Sequence, residues 1–147
     1  MAARVQREDF DIGAELVALT AGRTDVGAVV SFTGLVRDVS GTLEAMELEH
    51  YPGMTERALA AIEAEARARW PLQACLIVHR FGQMAPGERI MMVATASAHR
   101  EAAFAAADFL MDYLKSRAPF WKKETGAGGS AWVAAKDQDE AALGRWR

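Results

Sequence analysis

The sequence predicts an α+β fold: a mixed, mostly antiparallel sheet with packed helices. Three observations lead there. Helical and strand-like stretches are interleaved without a strict β-α-β repeat. Residues 43–51 alternate, with Met46, Leu48 and His50 on one side and Glu47, Glu49 and Tyr51 on the other, as in a half-exposed strand. Residues 74–81 and 89–96 are two strands joined by the turn-rich Gly82-Gln83-Met84-Ala85-Pro86-Gly87, which reads as a hairpin connection. The 147 residues, 51% hydrophobic and 25% charged, fit one domain over 1–147, with no repeat, low-complexity tract or linker to divide it.

In chain order, residues 8–20 read as a short helix. Asp11 is placed to cap it, and Leu16, Val17 and Leu19 face inward. After a loop at 21–25, Val26 to Thr33 is nearly continuous in apolar character, as in a strand buried on both faces and ended by Gly34. Pro52-Gly53 makes a turn after the alternating strand. Thr55 is the expected N-cap of a helix to about Trp70, with Leu59, Ile62 and Ala66 inward and Pro71 as its stop. The longest helix is expected from Ala98 to about Ser116, capped by Ser97, with a buried stripe of Phe104, Ala107, Met111 and Leu114. Gly126 to Ser130 reads as a flexible loop and Trp132-Val133 as a short strand. Asp137 and Glu140 resemble a capping box for a last helix ending near Trp146.

The composition excludes several classes. A net charge of -3 argues against broad nucleic-acid binding. No apolar run approaches the roughly 20 residues that span a bilayer, and the first residues lack the apolar core of a secretory signal, so neither membrane nor export is expected. The single cysteine, Cys75, lies in an apolar run, where it reads as a small buried hydrophobe of a chain kept in a reducing, cytoplasmic compartment. No nucleotide-binding glycine motif, no nucleophile elbow and no His/Cys set with metal spacing is present, so neither cofactor nor metal is expected. His50, at a strand end, and His79, among apolar neighbours, read as packed structural histidines.

What remains is a set of anion-seeking positions. Around Pro119, Phe120 and Trp121 stand four cations, Lys115, Arg117, Lys122 and Lys123. Proline stops the incoming helix, leaving Lys115 near its last turn, and the segment after the break can bring Lys122 back toward it. Two ammonium groups converging on one pocket call for an anion between them. The simpler reading is a pair of solvated lysines favoured by a helix C-terminus. Arg37 follows a strand, and His99 and Arg100 occupy the first turn of the long helix, where free N–H groups add to their own affinity for phosphate or carboxylate.

Four stretches, in order, carry a resemblance: Phe32-Thr33-Gly34 with Arg37; Leu48-Glu49-His50-Tyr51-Pro52-Gly53-Met54; Ser97-Ala98-His99-Arg100; and Tyr113 through Glu124. From about Phe10 to Trp146 the chain resembles the large, catalytic subunits of molybdopterin synthases. The resemblance implies an α/β hammerhead-like fold and a sulfurtransferase. In that family, sulfur on the C-terminal Gly-Gly thiocarboxylate of a small ubiquitin-like subunit passes to cyclic pyranopterin monophosphate, in two transfers, to make the dithiolene of molybdopterin. It further implies a homodimer of large subunits within a heterotetramer. It makes Lys115 and Lys122 the catalytic residues and Arg37, His99 and Arg100 the substrate contacts, with Leu35, Val36, Lys123 and Glu124 bordering the same pocket. Leu35 is apolar where relatives often carry lysine, so the loop backbone is the expected contact there. The alternative is a non-enzymatic adaptor for a Gly-Gly tail, or a sensor of a phosphorylated metabolite.

Helix geometry adds one expectation. His99 starts the long helix and Lys115 ends it, roughly 24 Å apart along the axis and roughly 160° apart around it. Side chains reaching about 6–7 Å cannot close that gap. If all these residues serve one substrate, as the resemblance implies, His99 and Arg100 come from a neighbouring subunit.

Overall fold

The computed structural model describes residues 3–38, 41, 43–126, 129–133 and 141–146, the stretch 129–133 as backbone. In order these form β1 (Ala3–Gln6), α1 (Ile12–Thr20), β2 (Ala28–Leu35), β3 (Leu43–His50), α2 (Met54–Arg69), β4 (Leu72–Arg80), β5 (Gly82–Met84), β6 (Arg89–Ser97), α3 (Arg100–Arg117), β7 (Phe120–Gly126), β8 (Gly129–Val133) and a 3-10 turn at Gly144–Trp146. Two four-stranded sheets result, β1-β4-β6-β2 and β5-β3-β7-β8. Only the β1–β4 pair is parallel among the described pairs, so the α+β, mostly antiparallel expectation holds.

The first sheet is sandwiched. On one face Cys75, Ile77, Met91 and Val93 pack against Leu59, Ile62 and Ala66 of α2 and Phe109, Leu110 and Leu114 of α3. On the other, Leu76, Val78, Met92 and Ala94 pack against Phe10 and α1, whose Ile12, Leu16 and Leu19 are partly buried. Strand alternation sends successive residues of β4 and β6 to opposite layers, and both layers are apolar. The strands buried on both faces are therefore β4 and β6, not the one expected at 26–33. That strand, β2, is a sheet edge and runs on through Gly34 to Leu35, leaving Val29, Phe32 and Leu35 exposed. Tertiary position overrides apolar composition here.

Other expectations shift locally. Asp11 caps α1 as expected, accepting from the Ala14 N–H at 3.0 Å. Val17, however, points to solvent. β1 had no counterpart in the sequence reading, being four residues paired parallel to β4. The N-cap of α2 is Gly53, at φ +85°, whose N–H donates to the Glu56 carboxylate at 3.2 Å. Thr55 is instead buried inside the helix, its hydroxyl donating to the Tyr51 carbonyl at 2.9 Å. Ser97 ends β6 and donates to the Pro71 carbonyl at 2.9 Å, so His99 takes the N-cap position of α3. The buried stripe of α3 is Ala103, Ala106, Ala107, Phe109, Leu110 and Leu114; Phe104 is 62% exposed and Met111 only partly buried. The connection between β4 and β6 is not a simple hairpin turn, because it carries β5 into the second sheet. Of the segment read as a loop at Gly126 to Ser130, Gly126 pairs with Gly129, and Ser130 pairs with Thr125, so these three belong to strands; 127–128 lie outside the described residues. The capping box at Asp137 and Glu140 lies outside the described residues.

Candidate active site

Lys115 stands on the last turn of α3, exposed beside the buried Leu114. Pro119 cannot continue the helix, and α3 ends at Arg117. The chain turns at Ala118, whose carbonyl accepts from the Phe120 N–H at 2.8 Å, and runs straight into β7. The break therefore leads from helix into strand, and strand alternation decides which side chains share a face.

β7 pairs antiparallel with β3, setting Phe120 opposite His50, Lys122 opposite Leu48 and Glu124 opposite Met46. Directly paired residues project to the same face. Met46 and Leu48 are buried, so Phe120, Lys122 and Glu124 lie on the inner face of the second sheet. Lys123, paired with Glu47, lies on the outer face with Trp121, whose ring meets Tyr51 at 4.6 Å. Lys123 was grouped with Lys122 and Glu124 on sequence; the strand separates it from them. Lys122 and Glu124 form a long ion pair, 3.9 Å, with both side chains more than a third exposed. Such a pair is worth little to stability, and leaves Lys122 available to another anion.

Two histidines pack against Phe120 at the start of β7. His79 is buried at the end of β4, and its ring stacks on Phe120 at 3.7 Å and 15°. Its Nδ1 is 2.9 Å from the Arg80 carbonyl, which only accepts, so Nδ1 carries the proton. Burial pushes the His79 pKa down to about 4. The bond to Arg80 opposes that shift, while the charges of Lys115 and His50 add to it. The ring is neutral at pH 7, and Lys115 is among the cations it senses. His50 sits at the end of β3, 4.4 Å from the Phe81 ring and 6.0 Å from that of Phe120. Its Nδ1 lies 3.0 Å from the Thr55 hydroxyl. That hydroxyl gives its proton to Tyr51, so His50 donates. Both histidines are packed, as the sequence suggested, and the packing is with the start of β7.

The β2 end reaches the same region. Leu35 is exposed and opposite Arg89. Val36 is a core residue, packed with Met46, Leu48 and Met84; its backbone exchanges hydrogen bonds with Glu88 and Gly87 at 2.9 and 2.8 Å. Arg37 follows it into solvent.

His99 and Arg100 stand elsewhere. With Gly27, Ala28, Ala98 and Glu101 they line a cavity of about 450 Å³ at the opposite end of α3. The Gly27 N–H donates to the Ser97 carbonyl at 3.0 Å, and a Cβ at Gly27 would overlap the Ala98 carbonyl oxygen, so glycine lets β2 approach the helix start. The 18 residues of α3 span about 27 Å. One chain thus brings Lys115, Lys122, Glu124 and the Leu35–Arg37 segment toward one end and holds His99 and Arg100 at the other.

Among the described residues no group of His, Cys, Asp and Glu is placed to hold a metal, and no helix is long and apolar enough to cross a membrane. Cys75 is buried, and burial pushes its thiol up to about 12. It is protonated at neutral pH and remote in character from a sulfur-carrying thiolate.

The family model of the MoaE protein matches residues 5–117. The chain belongs to the MoaE family. A MoaE relative from Cereibacter sphaeroides, named molybdopterin synthase catalytic subunit, is 68% identical over 142 residues, 97% of each chain. Its match runs past the family model's end and far enough to take in the lysine hinge. Among solved structures, the molybdopterin biosynthesis MoaE protein of Burkholderia ambifaria superposes with a TM-score of 0.85 at 53% identity, covering 99% of this chain and 98% of that one. A chain of the molybdopterin synthase of Staphylococcus aureus gives 0.81 at 32% identity, covering 88% and 95%.

Proposed function

We infer that this MoaE chain is the catalytic subunit of a molybdopterin synthase, a sulfurtransferase acting in molybdenum cofactor biosynthesis. The observation that carries the reading is the lysine hinge: Pro119 turns α3 into β7, and alternation then sets Lys122 and Glu124 on the inner face with Phe120, which packs against the cluster that holds Leu114, the neighbour of Lys115. Its substrate is cyclic pyranopterin monophosphate. Its partner is a small ubiquitin-like subunit bearing a C-terminal Gly-Gly thiocarboxylate, in a heterotetramer built on a homodimer of large subunits. Residues 1–147 act as one domain, and the assembly works in the cytoplasm.

The chemistry asks for cations twice. Lys115 meets the incoming thiocarboxylate as a cation and orients it. Once the sulfur has bonded to the precursor, the Lys115 amine, having given up its proton, can attack the acyl carbon, and the acyl C–S bond breaks to leave the sulfur on the precursor. Water then restores the carboxylate, so each tail loses one sulfur and gains one oxygen. Lys122 stabilises negative charge as the cyclic phosphate opens, with Glu124 holding its ammonium in the meantime. Arg37 with the Leu35–Val36 backbone, and His99 with Arg100, bind phosphate and pterin oxygens. The distance along α3 supports assigning His99 and Arg100 to the second large subunit, with two composite sites about a two-fold axis. The test is incubation with thiocarboxylated partner and precursor, followed by assay for dithiolene. Product formation supports the synthase. Tight binding of the partner without product would establish the adaptor in its place.

A further inference from the structure

We propose that His79 is a positioning residue whose ring, stacked on Phe120, sets the spacing of Lys115 and Lys122. The proposal rests on the synthase reading for its kinetic test and on geometry alone for its structural one. The two lysines belong to different bodies. Lys115 is on α3, which packs on the first sheet through Phe109, Leu110 and Leu114. Lys122 is on β7 of the second sheet. What joins the bodies at this point is a row of rings that leaves the first sheet, runs through two rings of the second and returns: His79 of β4, Phe120 of β7, His50 of β3 and Phe81 after β4, with centroid separations of 3.7, 6.0 and 4.4 Å.

Phe120 and Lys122 are two residues apart on one strand face, so a displacement of the Phe120 ring is passed to Lys122 with little loss. His79 follows Cys75 and Ile77 on the face of β4 that packs against α3 and its Leu114, the neighbour of Lys115. The ring is also anchored from behind. Its Nδ1–H donates to the Arg80 carbonyl. The Arg80 guanidinium is buried and donates to the carbonyls of Arg7 and Arg89 at 2.9 and 2.8 Å, with Glu88 at 3.3 Å. A near-parallel stack on a ring so held leaves Phe120 little freedom. Neutrality matters as well: an uncharged His79 ring adds no cation to compete with Lys115 for the anion. None of these groups touches the substrate in the proposed roles, so the effect is on geometry and not on the chemistry itself.

The experiment compares His79→Ala, which deletes the ring, with His79→Phe, which keeps the stack. In the reconstituted synthase, His79→Ala lowers kcat by about 30- to 100-fold, the loss expected of catalytic groups displaced by about 1 Å, with KM for the precursor within about two-fold of wild type. His79→Phe returns kcat to within about five-fold of wild type. If His79→Ala does not fold, Phe120→Leu removes the other ring and carries the same expectation. An independent arm needs no turnover: 13C-methyl signals of reductively methylated Lys115 and Lys122 shift in His79→Ala and stay in place in His79→Phe. A folded His79→Ala with kcat within two-fold of wild type overturns the proposal. So does a loss carried by KM, an equal loss in His79→Phe, or lysine signals that do not move. If wild type makes no product while the lysine signals respond as stated, the synthase reading fails and the positioning role stands.

Discussion

The buried, neutral His79 makes folding stability depend on pH in a way that one substitution isolates. In the folded chain its pKa is lowered from 6.5 to about 4, chiefly by burial, with Lys115 of α3 and His50 of β3 adding to the shift and the Arg80 carbonyl opposing it. The unfolded chain takes up a proton as pH falls through 6.5, while the folded chain does not until about pH 4. The His79 contribution is therefore fully present above about pH 7 and lost as pH falls from there toward 4. Between pH 7.5 and 4.5 the linkage relation gives a loss of about 2–3 kcal/mol. Other groups titrate in this range, so the useful quantity is a double difference. Urea unfolding of wild type and His79→Phe at both pH values reads it, because the phenylalanine chain lacks this proton and shares the rest. The gap between the two proteins should move by about 2–3 kcal/mol in favour of His79→Phe at pH 4.5. A gap constant to within about 0.5 kcal/mol would refute the reasoning. So would a His79 ring seen by NMR to titrate near its ordinary value.

Further outcomes are expected. Cys75, with its thiol held protonated by burial, reacts negligibly with an aromatic disulfide reagent in the native chain and releases one thiol equivalent on denaturation; Cys75→Ala keeps sulfur transfer, and loss of transfer in that folded variant would put the cysteine on the sulfur path. Mixing Arg100→Ala chains with Lys115→Ala chains, each inactive alone, restores up to about half the activity of a wild-type dimer if sites are composite; verified mixed dimers that stay inactive would exclude sharing. Gly27→Ala forces a methyl into the Ala98 carbonyl and lowers stability by about 1–3 kcal/mol, measurable by urea melts, while a neutral effect would show that β2 can yield there.

Much of the architecture was legible because short-range rules agreed with tertiary demands. Asp11 capped its helix, Pro71 and Pro119 ended theirs, and the alternation at Met46 and Leu48 marked a half-buried strand. Failures came where a neighbour absent from local sequence decided the outcome. Val29 and Phe32 look like core on composition, but β2 is a sheet edge. Ser97 looks like a cap, but its hydroxyl is taken by the Pro71 carbonyl, across the chain. Phe104 fits an apolar stripe by spacing, yet the small Ala103, Ala106 and Ala107 form the close contact of α3 with the sheet.

The site was legible in kind more than in arrangement. Charge and the proline break singled out Lys115 and Lys122, and helix length separated His99 and Arg100 from them, as the structure does. The separation of Lys123 from Lys122 needed β7 to be a strand, and the segment after Pro119 gives little alternation signal of its own. Val36, grouped with the pocket, is held in the core by Met46, Leu48 and Met84. The roles of His50 and His79 depend on stacking with Phe120, from positions 70 and 41 residues away along the chain, a pairing that only the folded sheets create.

The central claim is that the lysine hinge transfers sulfur. The direct measurement is single-turnover dithiolene formation from thiocarboxylated partner and precursor, by wild type and by Lys115→Ala of verified fold and partner binding. The account predicts product from wild type, with two thiocarboxylates consumed for each dithiolene, and a rate lowered by about 100-fold or more in Lys115→Ala. Near-normal product formation by Lys115→Ala would contradict it.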